Sequence, residues 1–213
     1  GRPAMDKRAT ASKTIGDEVL MVWTKTSGNY ANAIGATVVA SKNTGFGWAA
    51  PEPVDPEVNF NEAPAVVFDS NGDPVAVWAY ASSNGLNLDS PISDLLEPED
   101  ETDIVFSVRT DGVWSARAPV SLLDGRDEQV SLAAGDGGEV VAVWVNRGDD
   151  GACGIMQSAW DGSTWSDAVE LATSTWCEQP VITAMDGAYM IVWAEDTDED
   201  LETGADWRLA YMT

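Results

Sequence analysis

The stretch that decides the fold is Pro64-Ala-Val-Val-Phe68, Asp69-Ser-Asn-Gly-Asp73 and Pro74-Val-Ala-Val-Trp78. Two apolar runs rich in β-branched residues flank a turn of Asn, Gly and Asp, which accept positive φ in tight turns. The stretch therefore predicts a β-hairpin. Its ending returns as Val22-Trp23, Val143-Trp144 and Val192-Trp193, so the hairpin is one of four copies.

The four Val-Trp pairs are spaced like the blades of a propeller. Their Trp residues recur at intervals of 55, 66 and 49 residues. Spacing that varies around about 50 residues is typical of four-stranded blades with unequal loops. No run shows sustained helical periodicity. We predict an all-β fold of β-propeller blades, each of four antiparallel strands, with three complete blades and an incomplete fourth. The predicted blades cover residues 8–60, 61–125, 126–178 and 179–213 of one domain or propeller segment spanning 1–213.

The turn between the third and fourth strands of each blade resembles the Asp-box (BNR-like) hairpin of sialidase-type propellers, Ser-x-Asp-x-Gly-x-Thr-Trp. The segment from Ser158 to Trp165 matches Ser, Gly, Thr and Trp in place, with Asp161 displaced by one position. Residues 41–48 carry Asn43 where the motif has Asp, and residues 107–114 have Asp111 slipped along the turn. The resemblance extends over the whole chain as a repeat and implies a sialidase-type propeller fold, but it specifies no chemistry.

The number of repeats leaves three arrangements of the ring open. The chain is a fragment of a larger ring, a four-bladed ring closed by its N-terminal segment, or a half-ring completed by another chain. Residues 1–7 are short, polar and interrupted by Pro3, which makes a poor outer strand, and the opening Gly1 is typical of a cut or processed end. Because an open ring leaves apolar faces bare, we expect another protein chain or the remainder of the same propeller as a partner.

The charge of the chain limits its other partners. Asp and Glu number 36 against 11 Lys and Arg, which gives a formal net charge of −25. Such a field repels nucleic acid and anionic lipid, so we expect no nucleic-acid partner. No run of 18 apolar residues is present, so we also expect no membrane insertion.

The two cysteines lie on connections that emerge at the same face of a propeller. We predict a disulfide between Cys153 and Cys177, with two unrelated small apolar side chains as the alternative. Because disulfides persist in oxidising compartments, the bond would imply an extracellular or cell-surface location.

The same face carries acidic loops that predict a metal site. The proposed ligands are Asp196, Asp198, Asp200 and Glu202, since calcium takes six to eight oxygen ligands and clustered carboxylates supply them. Leu201 and Trp207 stand where an EF-hand needs Gly and Glu, which excludes an EF-hand. Calcium is the one cofactor expected, and the alternative is a solvated acidic loop.

Three Trp residues fall outside the repeated Trp phrases. Trp160, Trp176 and Trp207 are therefore predicted to be exposed and to stack on the rings of a glycan partner. The Trp residues of the Val-Trp pairs are predicted to lie in the core between blades.

The residues that enzymes use most often are scarce in this chain. It has no His, which removes any Ser-His-Asp triad, and Arg109 and Arg117 flank the outer turn of a blade instead of its centre. Paired carboxylates could hydrolyse a glycoside, but 36 acidic residues favour no particular pair. We predict that the chain is not an enzyme and acts as a non-catalytic extracellular recognition or assembly module, through its acidic loops and open blade edges. The alternatives are a glycan-binding or glycan-cleaving sialidase-like propeller and a structural subunit of an oligomer or filament.

Overall fold

The chain folds into antiparallel β-sheets. The computed structural model describes residues 7–13, 19–25, 35–43, 45–82, 102–148, 151–196 and 208–213, the first of these ranges by its backbone alone. The strands of these residues are β1 (Lys7–Lys13), β2 (Val19–Lys25), β3 (Ala36–Asn43), β4 (Glu52–Phe68), β5 (Pro74–Ala81), β6 (Asp103–Thr110), β7 (Val113–Trp114), β8 (Ala118–Pro119), β9 (Arg126–Ala134), β10 (Val140–Arg147), β11 (Cys153–Trp160), β12 (Val169–Ser174), β13 (Trp176–Met185), β14 (Ala188–Asp196) and β15 (Arg208–Met212).

The strands form four consecutive units. The first unit is β1, β2, β3 and residues 52–59 of β4, and the second begins with residues 60–68 of β4 and continues through β5, β6, β7 and β8. The third unit is β9 to β12, and the fourth is β13 to β15. The long strand β4 therefore closes one unit and opens the next. The opening strand of each unit, here called its inner strand, contacts the inner strand of the next unit.

The hairpin between β4 and β5 forms as its sequence predicts. The carboxylate of Asp69 accepts hydrogen bonds from the backbone N–H of Asn71 at 2.9 Å and of Asp73 at 3.0 Å. Gly72 takes a φ of +80°, which a residue with a side chain rarely adopts. The turn therefore fixes the register that places Val77 opposite Ala65.

Alternation of side chains along the second strand of each unit produces two apolar faces. In the first three units the Val of the Val-Trp pair packs toward the following unit, and in the last three units the Trp packs toward the preceding one. The pairs that share a core are Val22 with Trp78, Val77 with Trp144, and Val143 with Trp193. We call the Val side of a unit its front face and the Trp side its back face. Each hydrophobic core thus joins the front of one unit to the back of the next.

The turns after β3, β6 and β11 share one hydrogen bond. Ser41, Ser107 and Ser158 each donate a hydroxyl hydrogen bond of 2.7 to 2.8 Å to the backbone carbonyl eight residues later. In the third of these turns, hydrogen bonds lower the pKa of Asp161 to about 2. The largest effect comes from the backbone N–H of Thr164, and the next come from the hydroxyl and the backbone N–H of Ser163. These serines are the ones that the Asp-box resemblance aligned.

Candidate functional site

A glutamate occupies the same place at the start of three inner strands. These residues are Glu62, Glu128 and Glu178, which lie opposite Ala79, Val145 and Ala194 of the neighbouring strands. The register shifts directly after each glutamate, where Ala63, Gln129 and Gln179 take φ values of +45°, +58° and +51°. A bulge of this kind bends a strand and re-aims its side chains. The repeat therefore brings one carboxylate from each of the second, third and fourth units to the same end of the inner strands.

Two of these carboxylates line one cleft between the second and third units. The cleft has a volume of about 160 Å³ and is lined by Phe60, Glu62, Ala79, Thr102, Arg126 and Glu128. It combines an apolar ring, two carboxylates and one guanidinium. Together these groups offer an apolar surface for stacking and charged side chains for hydrogen bonds to a small polar ligand.

Glu128 is held between two arginines. Its carboxylate lies 3.2 Å from Nη2 of Arg126 and 2.5 Å from Nε of Arg147. Charge-assisted hydrogen bonds of this kind are stronger than neutral ones and restrict the direction of the carboxylate. Glu128 is therefore fixed, whereas Glu62 is exposed to solvent.

Arg147 also joins the third unit to the fourth. Its guanidinium lies 4.0 Å from the centre of the Trp176 ring, and Nη2 donates to the carbonyl oxygen of Cys177 at 3.1 Å. The indole N–H of Trp176 donates in turn to Glu178 at 3.1 Å. The fixed carboxylate Glu128 and the third glutamate, Glu178, are thus connected through one arginine and one tryptophan.

The residue before each glutamate ties its unit to the preceding one. Asn61 donates its side-chain amide to the carbonyl oxygen of Ala36 at 2.7 Å, where β3 begins. Asp127 donates its backbone N–H to the carbonyl oxygen of Thr102 at 2.8 Å, just before β6. Cys177 is disulfide-bonded to Cys153 at the start of β11. A hydrogen bond from a side chain, one from the backbone and a covalent bond therefore perform the same task in three successive units.

The predicted disulfide is confirmed. Cys153 and Cys177 have their Cα atoms 5.8 Å apart, which lies in the usual range for this bond. Both residues are buried in the core between the third and fourth units.

The three predicted stacking residues have different surroundings. Trp160 was expected to be exposed, and that expectation is wrong: it is 5% exposed, packs on Phe106 and Trp165, and donates its indole N–H to Asp69 at 3.3 Å. The back face of the third unit needs a large apolar side chain there, which is why the ring turns inward. Trp176 is half-buried beside Arg147. Trp207 lies outside the described residues.

The predicted calcium ligands are described in part. Asp196 ends β14, where it is buried and its backbone carbonyl accepts a hydrogen bond of 2.8 Å from the Ser174 hydroxyl. Asp198, Asp200 and Glu202 lie outside the described residues. Within the part of the chain that the structure describes, no group of three or more His, Cys, Asp or Glu side chains could hold a metal ion.

Comparison with known proteins finds similar structures but no matching sequence. No protein-family model and no curated protein sequence matches the chain. A Hadza microbial sialidase superposes with a TM-score of 0.67 at 12% identity over 97% of this chain and 44% of its own. The Trypanosoma rangeli sialidase in complex with sialic acid gives 0.64 at 12% identity over 98% and 38%, and an α-L-arabinofuranosidase from Lactobacillus brevis gives 0.56 at 12% over 100% and 75%.

These likenesses establish the architecture. The chain has a β-propeller fold. The predicted all-β blades, with an incomplete fourth, are confirmed, and the chain spans less than half the length of the sialidases that it resembles. No helix in the described ranges is long and apolar enough to cross a bilayer.

The comparisons correct the prediction that the chain is not an enzyme. The similar structures described above, and a fructan 1-exohydrolase from Cichorium intybus, are carbohydrate-cleaving enzymes, so the same fold serves catalysis in those proteins and the prediction does not stand. The argument from the absence of His failed for a chemical reason, because carboxylates are sufficient for glycoside hydrolysis.

Sequence reasoning missed the three glutamates among 36 acidic residues. A signal was nevertheless present, because Glu62-Ala-Pro64, Glu128-Gln-Val130 and Glu178-Gln-Pro180 recur at intervals of 66 and 50 residues. The Val-Trp pairs of the same units recur at intervals of 66 and 49 residues, which agree to within one residue, so aligning the start of each repeat as well as its end would have found the glutamates.

Proposed function

We propose that this chain forms part of a carbohydrate-cleaving β-propeller whose site lies where the inner strands begin. The observation that carries the proposal is the cleft shared by Glu62 and Glu128. The glycoside hydrolases with the same fold support it. Recognition of a glycan by this face is part of the same proposal.

The two carboxylates suit the two roles that glycoside hydrolysis requires. One carboxyl group gives its proton to the glycosidic oxygen as the C–O bond breaks, and one carboxylate attacks the anomeric carbon or activates the water that does so. Glu62, which is exposed and can exchange its proton with solvent, is assigned the role of proton donor because the arginines hold the other carboxylate. Glu128, fixed by Arg126 and Arg147, suits the charged partner, and Phe60 offers an apolar surface to the sugar ring.

Replacing either glutamate tests the proposal. Glu62→Gln and Glu128→Gln each keep the size of the side chain and remove its acid-base chemistry, so we expect hydrolysis to fall by about 10²- to 10⁴-fold. The measurement is release of nitrophenol from a panel of nitrophenyl sialoside, arabinofuranoside and fructofuranoside substrates.

Glu139→Gln is the matched control, because Glu139 is exposed at the opposite end of the hairpin that Glu128 begins. It should retain full activity. If the chain hydrolyses a substrate and both glutamine variants hydrolyse it equally well, the assignment is overturned. It is also overturned if the complete native protein cleaves no member of the panel.

We further propose that the protein acts outside the cell or on its surface, and that calcium binds the segment from Asp196 to Glu202. The buried disulfide supports the location, since such bonds persist in oxidising compartments. The acidic sequence alone supports calcium.

A second role, in assembly, is supported by the front face of the fourth unit. Leu209 lies opposite Ala194, in the position that Val38, Ile104 and Ile155 hold in the other units. Those three residues are at most 1% exposed, whereas Leu209 is 75% exposed and its neighbour Tyr211 is 73% exposed. In the other units this face is covered by the Trp-bearing back of the next unit. We propose that a further blade, from another chain or from the remainder of the same propeller, covers it.

A charge placed on that face should prevent the contact. We expect the wild-type protein from its source to appear by native mass spectrometry as an assembly or as part of a longer chain. Leu209→Lys with Tyr211→Lys should dissociate the assembly or expose the fourth unit to hydrogen exchange, because a lysine cannot be buried there without a partner charge. Leu122→Lys, at a residue that is 76% exposed elsewhere, is the control. A stable wild-type monomer of this chain alone would contradict the proposal.

A further inference from the structure

Asp127 is a buried carboxylic acid directly beneath the cleft. It lies between Arg126 and Glu128 on β9, and its side chain points to the opposite side of the strand, where it is 0% exposed. Oδ1 accepts a hydrogen bond of 2.8 Å from the side-chain amide of Asn146. Neither Oδ2 nor the indole N–H of Trp144 makes a well-formed hydrogen bond with any described residue, although the indole lies near enough to the carboxylate to lower its pKa. Ionising this carboxylate would cost free energy, because the charge would be buried away from water.

The second unit shows how the same position is satisfied without charge. There Asn61 accepts the indole N–H of Trp78 at 2.8 Å and donates to the carbonyl oxygen of Ala36 at 2.7 Å. Asp127 and Trp144 are the equivalent pair in the third unit. A neutral amide completes its hydrogen bonds in one unit, and a titratable acid leaves an oxygen unpaired in the next.

Asp127 is mechanically linked to the cleft. Its backbone N–H donates to the carbonyl oxygen of Thr102, and the Thr102 hydroxyl donates to the carbonyl oxygen of Asp127, both at 2.8 Å. Thr102, Arg126 and Glu128 all line the cleft. Asn146 also donates to the carbonyl oxygen of Asp124 at 3.1 Å, which holds the approach to β9. A shift of Asp127 would therefore move the cleft wall.

We propose that Asp127 is a positioning residue whose loss of a proton displaces Arg126 and Glu128 and so makes the cleft sensitive to pH. The inference rests on the proposed function for the use of the cleft, but not for the titration itself. When the proton leaves for solvent, a buried negative charge remains on the Asp127 carboxylate, and the start of β9 opens to hydrate it.

The charges around Asp127 support this direction. Burial raises the pKa of Asp127 to about 7, and the carboxylate of Asp103 on β6 adds to the rise, while Asn146 and Trp144 oppose it. The charged residues flanking it along the chain are Arg126 and Glu128 on β9, and Arg147 follows Asn146 on β10. Because the pKa rises on folding, its contribution to stability is complete below about pH 4 and is lost as the pH rises through about 7.

The test is a pH titration of the full chain labelled with ¹⁵N in its tryptophan and arginine side chains. We expect the Trp144 Nε1–H resonance, assigned with Trp144→Phe, to shift with a midpoint near pH 7 and the Nε–H resonance of Arg126 to follow it. Asp127→Asn should abolish both shifts, and Asp103→Asn should lower the midpoint. Asp136→Asn, at an exposed residue in the hairpin at the other end of β9, should leave the midpoint unchanged.

Several outcomes would overturn the proposal. They are a Trp144 resonance that stays constant from pH 4 to 9, a titration that survives Asp127→Asn, or a shift of Trp144 that Arg126 does not follow. If Asp127→Asn fails to fold, the wild-type midpoint of the Trp144 titration and its displacement in Asp103→Asn still test the proposal. The resonances are measured without substrate, so a protein that shows no hydrolysis can still show the titration of Asp127. The two proposals can therefore be refuted independently. If hydrolysis is found, its loss above pH 7 should disappear in Asp127→Asn.

Discussion

Trp78→Ala is expected to lower the free energy of unfolding by about 4 kcal/mol, because it opens a large cavity between the first two units. Trp78 is 0% exposed and packs with Leu20, Val22 and Val38 of the preceding unit. Its indole N–H also donates to Asn61, whose amide holds the start of β3. The substitution therefore removes both packing and the partner of a buried polar atom.

Urea denaturation followed by circular dichroism measures this effect, and the melting temperature should fall by about 10 °C. Trp78→Phe retains much of the packing but leaves Asn61 Oδ1 unpaired, so it should cost about 1–3 kcal/mol. Trp48→Ala is the control, since Trp48 is 49% exposed, and it should cost less than about 1 kcal/mol. Equal losses for Trp48→Ala and Trp78→Ala would show that the core between units does not carry the stability.

Removing the disulfide with Cys153→Ala and Cys177→Ala together is expected to cost roughly 3.5 kcal/mol. The bond joins residues 24 apart in the sequence, and its loss frees that loop in the unfolded state. In the folded state, the start of β13 loses its covalent attachment to β11, and with it Trp176 and Glu178 lose part of their support.

Thermal unfolding with and without a reductant gives the measurement. The wild-type protein should melt at a lower temperature when reduced during denaturation, whereas the double Ala variant should be insensitive to the reductant. Hydrogen exchange should increase first in β13. A wild-type melting temperature that the reductant does not change, with the bond demonstrably reduced, would contradict the prediction.

Much of the fold could be predicted from the sequence because its signals are local. The turn around Asp69 and Gly72 is formed by residues that are adjacent in the sequence. Alternation along the strand that ends in Val-Trp indicates that the two side chains point to opposite faces. The disulfide could be predicted for a different reason, since blade topology places both connections at one face.

The candidate site was less accessible because its members belong to different units. Glu62 and Glu128 are 66 residues apart, and only the packing of inner strands brings them to one cleft. The outward position predicted for Trp160 was wrong because the third unit packs on the turn that contains Asp69. That contact joins residues that are 91 positions apart in the sequence, so no local sequence pattern predicts it.

The sequence by itself determined that this protein is a series of β-hairpins repeated as blades, with the Trp of the Val-Trp pairs between blades and the two cysteines on connections at one face. Turn chemistry, alternation and repeat spacing can be read from the order of residues along the chain. None of them depends on knowing which residues are in contact. Only the tertiary structure decided which carboxylates share a cleft, which arginines hold Glu128, and that Asp127 lies buried beneath them. Those properties depend on solvent exclusion and on distances between units, which exist only once the sheets have packed.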